Sequence, residues 1–530
     1  MVTFADLRDA DTSALYTAGQ AWWRYAEALR ALEERMNDDA AGGLLRAGWD
    51  GDAADTAVER SEAIEGYFDL RSFAADLVAG VYDSAYDQLW QLKWRLTAAI
   101  DQAAAEGLSV RTDGVVEPPS RRAQELTDEI AGIVGEAGAV DQQTADALAL
   151  LGPEAGQVGT AGWTELSEDA GGLANLYGLR EDSVPTDPAA AAAWWGRLSN
   201  AQQALYLAAF PAVIGARNGL PVVVRDRANR LALSRHGVPE QSLLDRLAPS
   251  LAPLLGPLAA AGSWMVSRNQ RRLRPQTLLD RLEASEHRPD HQRLYLLGFN
   301  LDDDGRAVIA IGDPDTADHT AVYVPGMSTT IDTIGGDLDR MQNLQQEADR
   351  LTFGRTGDVA TVMWLGYDTP GADLSVARSH HARAGAPELD SFIDGLRAAR
   401  HEPGHVTVIG HSYGSTVIGT AASDGNGLAV DDIAVAGSPG MRVDNVDALQ
   451  IDPRHVWAGD AEDDHVSGPI GWFAHGAEPH EEGFGANRFV VDTEGHSDYW
   501  KRDTDSLENQ AAIVVGHYGA VHLEHGEAPS

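Results

Sequence analysis

The 530-residue chain contains no cysteine, which excludes disulfides, a thiolate nucleophile and cysteine-ligated zinc or iron–sulfur centres. Any catalysis falls to oxygen and nitrogen groups. Lysine is almost as scarce, with only Lys93 and Lys501, so the basic residues are nearly all arginine. Against 40 basic side chains stand 81 acidic ones, a formal charge of −41. That balance opposes binding to nucleic acid or to an anionic membrane surface. Residues 1–18 lack the basic start and apolar run of a secretory signal, carrying Asp6, Arg8, Asp9 and Asp11 instead, and the expectation from this is a cytoplasmic protein. Long apolar runs are also few. The one uncharged stretch near membrane length, Leu247 to Ser267, is interrupted by Pro249, Pro253 and Pro257 and reads as a linker with short helices rather than a stable membrane span.

Helical periodicity dominates the first half. From Thr12 to Met36 the apolar positions Leu15, Ala18, Trp22, Tyr25, Leu29, Leu32 and Met36 alternate spacings of three and four, the pattern of a helix packed on a partner helix. After Gly48-Trp49-Asp50-Gly51, a second stripe runs through Val81, Ala85, Leu89, Leu92, Leu96 and Ile100, and its length suits an antiparallel hairpin partner. Two long helices joined at Trp49-Asp50-Gly51 resemble the WXG-type helical-hairpin proteins exported by type VII secretion. The resemblance implies export as the alternative to a cytoplasmic location, and a helical partner or self-association through these helices. The tyrosine–acid pairs Tyr177/Glu181 and Tyr499/Asp503 match the export signal of that pathway no more often than chance supplies. Helical patterning continues over 124–151 and 200–233.

Around Gln276 the texture changes to short β-branched or aliphatic runs at 293–298, 307–311, 321–324, 359–365, 406–409, 433–436, 455–458 and 488–491, with amphipathic segments at 330–351, 387–399 and 415–422 between the later ones. Strand–helix alternation of this kind predicts a mostly parallel sheet flanked by helices. The expected division is a helical hairpin at 1–110, a further helical region and linker at 111–275, and an α/β domain at 276–530.

Within that domain Gly410-His411-Ser412-Tyr413-Gly414 has the G-x-S-x-G form. A bare match is weak, since about 0.3 are expected by chance in a chain so rich in glycine. Its context is stronger: a β run before it and a helical run after it place Ser412 on a strand-to-helix turn, where the hydroxyl is exposed and the helix N-terminus faces charge developing on an attacked carbonyl. The Tyr413 N–H is the first expected oxyanion donor. The second is the Met327 N–H, after the apolar strand Val322-Tyr323-Val324 breaks at Pro325-Gly326. In this architecture an acid and then a histidine follow the nucleophile in chain order. The run Asp460-Ala461-Glu462-Asp463-Asp464 follows one strand, with Asp464 favoured as the acid, Asp463 the alternative and Asp460 third. His496, after the last strand, is the expected base, because imidazole can accept the serine proton and return it. His475, His480, His517, His522 and His525 read as surface or tail residues, and His411 as packing or pocket lining.

Val322 to Thr330, the elbow, Ala436-Gly437-Ser438-Pro439-Gly440 and Gly495-His496-Ser497 together resemble an actinobacterial α/β-hydrolase family of unassigned physiological role, over about residues 320–500. The segment from Phe210 to Pro221, with Arg225-Asp226 and Ala228-Asn229-Arg230, is similar to a stretch that often precedes that domain. The resemblance implies serine hydrolysis without naming a substrate. Asn300, Asp302, Asp304 and Gly305 open like a calcium loop, but the twelfth position would be Ile311, and a turn is the better account. His465, His475 and His480 match no standard metal spacing, and no glycine-rich phosphate loop occurs. No metal or cofactor is expected. The predicted activity is cleavage of a carboxylic ester, with acyl lipids among the candidates, through an acyl-enzyme. An amidase, thioesterase or acyltransferase would use the same groups, and a rival from another class is a secretion-associated binding protein with an inactive hydrolase scaffold.

Overall fold

The structure, a computed structural model, describes residues 2–36, 52–151, 169–235, 278–279, 281–282, 284–285, 288–302, 304–352, 357–371, 379–400, 402–464 and 475–526. The Trp49-Asp50-Gly51 turn, the 247–267 stretch, and His465, Trp472 and Phe473 lie outside them. The chain divides into two compact units, Met1–Ser183 with Arg197–Pro211, and Val184–Gly196 with Ala212–Ser530.

The first unit is helical. Helices α1 (Ser13–Met36) and α2 (Asp52–Ala105) run antiparallel, α3 (Arg121–Leu150) packs on the C-terminal part of α2, and α4 (Asn200–Ala209) also contacts α2. The face α1 turns to α2 is offset from the expected stripe. Gly19, Ala26 and Leu29 are buried, whereas Trp22 and Tyr25 are 37% and 49% exposed. Small residues let the helices approach, and polar side chains reach across: Trp23 Nε1 donates to Asp83 at 2.7 Å, and Arg30 pairs with Asp76 at 2.9 Å. These cross-helix bonds, rather than the bulkiest apolar groups, select the packed face. Leu92, Leu96, Ala99 and Ala103 of α2 bury against Leu126, Ile130, Ile133 and Ala137 of α3, the interdigitation expected of helices carrying apolar residues every third or fourth position.

The second unit is a three-layer α/β structure. Its strands are β1 (Leu294–Asn300), β2 (Arg306–Ile311), β3 (His319–Val324), β4 (Val359–Leu365), β5 (His405–His411), β6 (Asp432–Ala436), β7 (Val456–Gly459) and β8 (Asn487–Arg488). They form one sheet in the order β8-β7-β6-β5-β3-β4-β2-β1. The pairs β1–β2 and β2–β4 are antiparallel and all the others parallel. Burial on both faces explains why the central strands read as continuous apolar runs. On one face, α6 (Gly335–Leu351) and α9 (Asp505–Val514) set Met341, Leu344, Leu507 and Ile513 against Tyr323, Met363, Ile409 and Trp457. On the other, α7 (His380–Ala399) and α8 (Tyr413–Ser423) set Leu389, Phe392, Val417 and Ile418 against Val322, Val324, Val362 and Val408. Asn300, Asp302 and Gly305 form a turn between β1 and β2, with Asp302 N–H donating to Asn300 Oδ1.

The region after Pro211 supplies α5 (Val222–Arg235). Its polar side chains hydrogen-bond the outer edge of β1: Arg225 donates to Leu297 O, Asn229 to Leu296 O at 2.8 Å and Arg230 to Leu294 O at 2.9 Å, while Leu296 N–H donates to Asp226 at 2.7 Å. An edge strand with open backbone groups invites pairing with another chain. Here a helix occupies that edge with side chains of matched donor and acceptor type. Among the described residues, no helix is long and apolar enough to cross a membrane.

Candidate active site

The elbow forms where β5 ends at His411 and α8 starts at Tyr413. Ser412 between them has φ +52° and ψ −128°, a conformation side chains rarely adopt and one that marks functional strain. Close packing enforces the flanking glycines. A Cβ on Gly414 would overlap the Val324 carbonyl oxygen, and one on Gly410 would lie 2.8 Å from Ser415 Cα. Ser412 N–H donates to Ala436 O at 3.1 Å, and Ser415 N–H and Oγ donate to Ser412 O at 3.0 and 2.6 Å, which fixes the strained residue from both sides.

The loop after β3 passes directly over the serine. A Cβ on Gly326 would stand 2.7 Å from Ser412 Cβ and 3.2 Å from its Oγ, so glycine is required for the approach. Tyr367 donates its hydroxyl to Pro325 O at 2.6 Å and Ser328 N–H donates to Pro370 O at 2.9 Å, holding the loop down. Met327 lies beside the serine in the wall of the same cavity. Tyr413 opens α8, where the first N–H groups have no intrahelical acceptor.

The loop after β7 separates the three candidate acids by partner. Asp464 is buried, and its Oδ2 accepts His496 Nδ1–H at 2.7 Å and the Tyr499 hydroxyl at 2.6 Å. Asp463 accepts Gly495 N–H at 2.7 Å, and Asp460 lies 3.2 Å from the Tyr499 hydroxyl. Burial, reinforced by the bond to Asp464, raises the Tyr499 phenol well above its ordinary pKa, so it stays a donor. Gly437 gives the pair its room: at φ +58°, a Cβ there would lie 2.8 Å from Asp464 Oδ2 and 3.1 Å from His496 Nδ1. In the sequence Tyr499 stands out only as half of the chance pair Tyr499/Asp503, not as a site residue. Its signal was its place three residues beyond His496, legible only once the acid's location is known.

Among the described residues His496 Nε2 is buried without a hydrogen-bond partner, and the bond from the Ser412 hydroxyl is not closed. Unliganded sites commonly hold such bonds open. Ser412, His496 and Met327 share a cavity of about 280 Å³ with Gly326, Thr329, Thr333, Gly336, Asp337, Arg340, His411 and Ser497. On its α6 wall, Arg340 pairs with Asp337 at 2.6 Å, Tyr323 donates to the same carboxylate at 2.8 Å, and Arg340 also donates to Ser497 O at 3.3 Å. Neither Asp337 nor Arg340 stood out in an amphipathic helix. His411 lines the cavity as expected and also donates through Nε2 to His496 O at 2.6 Å. His475, expected at the surface, is instead buried edge-on against Tyr413 at 5.4 Å, because the segment carrying it folds back so that its carbonyl accepts Arg442 N–H.

A family model described as alpha/beta hydrolase matches residues 302–472, which include Ser412 and Asp464 and stop short of His496. An uncharacterized protein of Mycobacterium tuberculosis is 31% identical over an alignment of 369 positions, covering 62% of this chain and 55% of that protein. An uncharacterized protein of Mycobacterium bovis is 31% identical over 182 positions, covering 33% of this chain and 68% of that protein. The chain thus spans about half the length of the first of these relatives.

Proposed function

Because the chain belongs to the α/β-hydrolase family, we propose that it cleaves a carboxylic ester by a serine mechanism centred on Ser412. The observation that carries this reading is the cavity shared by a strained Ser412 and a His496 whose Nδ1–H is held by buried Asp464 at 2.7 Å. His496 Nε2 takes the Ser412 proton as Oγ attacks the acyl carbon. The resulting oxyanion is met by the N–H groups of Met327 and Tyr413, and the imidazolium is stabilised by Asp464. Collapse expels the alcohol with the proton returned from His496, leaving an acyl-serine. Water, deprotonated by the same imidazole, then releases the carboxylic acid and restores the serine.

The test is covalent labelling with a fluorophosphonate together with turnover of p-nitrophenyl esters of graded chain length. Labelling of the native chain and its loss in Ser412→Ala is the expected result. Labelling that persists in Ser412→Ala would overturn the assignment. An inert native chain would favour the scaffold reading, in which the helical unit does the work.

A further inference from the structure

His496 sits in a segment, 493–500, with no helix or strand to restrain it. Its orientation depends on side-chain bonds from elsewhere: Asp463 to Gly495 N–H, Arg340 to Ser497 O, Asp464 to the ring, and His411 to the His496 carbonyl. Asp464 fixes the imidazole about one bond, but a ring on a mobile main chain can still swing away from the serine. Among the described residues, only His411 grips the main chain of His496 itself. We propose that His411 is a positioning residue, coupling the nucleophile to the base by holding the His496 carbonyl at 2.6 Å. The inference rests on the serine-hydrolase reading, with His496 as base.

The coupling follows from where His411 stands. It is the last residue of β5 and is joined to Ser412 by one peptide bond, so the strand that positions the nucleophile also positions the donor. A carbonyl can only accept, so Nε2 must carry the proton and Nδ1 is the bare nitrogen, which faces the Tyr323 hydroxyl at 3.5 Å. The two imidazoles lie 4.7 Å apart, tilted by 33°, and Trp500 meets His411 edge-on at 5.2 Å. The ring is therefore packed between His496 and Trp500, and one tautomer satisfies the carbonyl. Burial pushes His411 down to about 3, with the neighbouring His496 adding to the effect. It thus stays neutral while the base gains and loses its proton, and it never places a second positive charge beside the imidazolium.

His411→Phe fills the same space and leaves the His496 carbonyl without its donor, whereas His411→Gln returns an N–H at similar reach. The expected result for Phe is a folded protein with kcat lowered about 10–100-fold and KM within about twofold, the signature of a misplaced catalytic group. Gln should recover most of that loss. A folded Phe variant with native kcat, or a Gln variant no better than Phe, would overturn the proposal. A second readout needs no turnover: the Nδ1–H proton resonance of His496, held by Asp464, should weaken through solvent exchange in Phe and return in Gln. An unchanged resonance in Phe overturns the positioning role. Failure of the native chain to turn over any ester, with the resonance behaving as expected, counts against the hydrolase reading alone.

Discussion

Replacing Asp464 by Asn tests the acid assignment, because it keeps the shape of the side chain and removes its charge. In the native chain one carboxylate oxygen accepts two short bonds, from His496 at 2.7 Å and Tyr499 at 2.6 Å, and the side chain is shielded from solvent. The Asn carbonyl can still face both donors, so the ground-state arrangement survives. What is lost is the attraction between the carboxylate and the imidazolium that forms as Ser412 is deprotonated. At about 4 Å between charge centres and an effective dielectric of about 20, that attraction is about 4 kcal/mol. At about 1.36 kcal/mol per tenfold, Asp464→Asn should lower kcat roughly 10³-fold. KM should change little, since the charge appears only in the transition state. Asp463→Asn is the internal control: its carbonyl still accepts Gly495 N–H, so the loss should stay within about threefold. Steady-state turnover of a p-nitrophenyl ester and the second-order rate of fluorophosphonate labelling give the two numbers, and thermal melts establish that both variants fold. A larger loss in Asp463→Asn than in Asp464→Asn would refute the assignment.

Gly326→Ala places a methyl 2.7 Å from Ser412 Cβ; the loop after β3 must lift, and labelling should slow about 100-fold while secondary structure by circular dichroism is retained. At the opposite end of the strands, buried Asp432 accepts Trp457 Nε1–H at 2.8 Å, the Tyr518 hydroxyl at 2.7 Å, His455 at 3.0 Å and His405 at 2.9 Å. Burial alone would lower the His405 pKa, but its bond to Asp432 and the charges of Asp432 and Asp431, with a bond to the Val514 carbonyl, together outweigh that and raise it above the ordinary value. A raised pKa means stabilisation that is complete below the unfolded-state value near 6.5 and is lost as pH climbs through the folded-state value. His405→Gln should therefore cost about 1.5–3 kcal/mol at pH 5.5 and visibly less at pH 9, measured by urea denaturation; an equal cost at both would refute the pairing. Burial opposes ionisation of Asp432, yet its donors outweigh burial and hold it below the usual carboxylate range, so its own contribution is present above about pH 4 and fades under acid.

The parts of the site readable in the sequence are those that backbone geometry makes obligatory. An elbow needs glycine on both sides of Ser412, a β run before it and a helix after it, and each requirement leaves a residue-type signature in a fixed order. The strands of the sheet were readable for a related reason: burial on both faces makes β4, Val359–Leu365, apolar at six of its seven positions, with Thr361 bonded to Met341 O. Asp463 and Asp464 could not be separated this way, because neighbours in a turn point in different directions and both are the same residue type. The Asp464 N–H bond back to Ala461 O sets that turn, and no composition or spacing encodes it. Nor could the seam of α1 be read from its largest apolar groups, since Trp23 and Arg30 answer to carboxylates at Asp83 and Asp76, far along the chain. Gly437 lies between these cases. Its positive φ and its clearance from Asp464 and His496 are backbone necessities like those of the elbow, yet a glycine after a strand is too common to identify the pair it makes room for. The proposed catalytic order Ser412, Asp464, His496 is thus written in segments whose backbone admits few residues, while the choice between Asp463 and Asp464 is written in contacts between segments, and those contacts are what Asp464→Asn against Asp463→Asn interrogates.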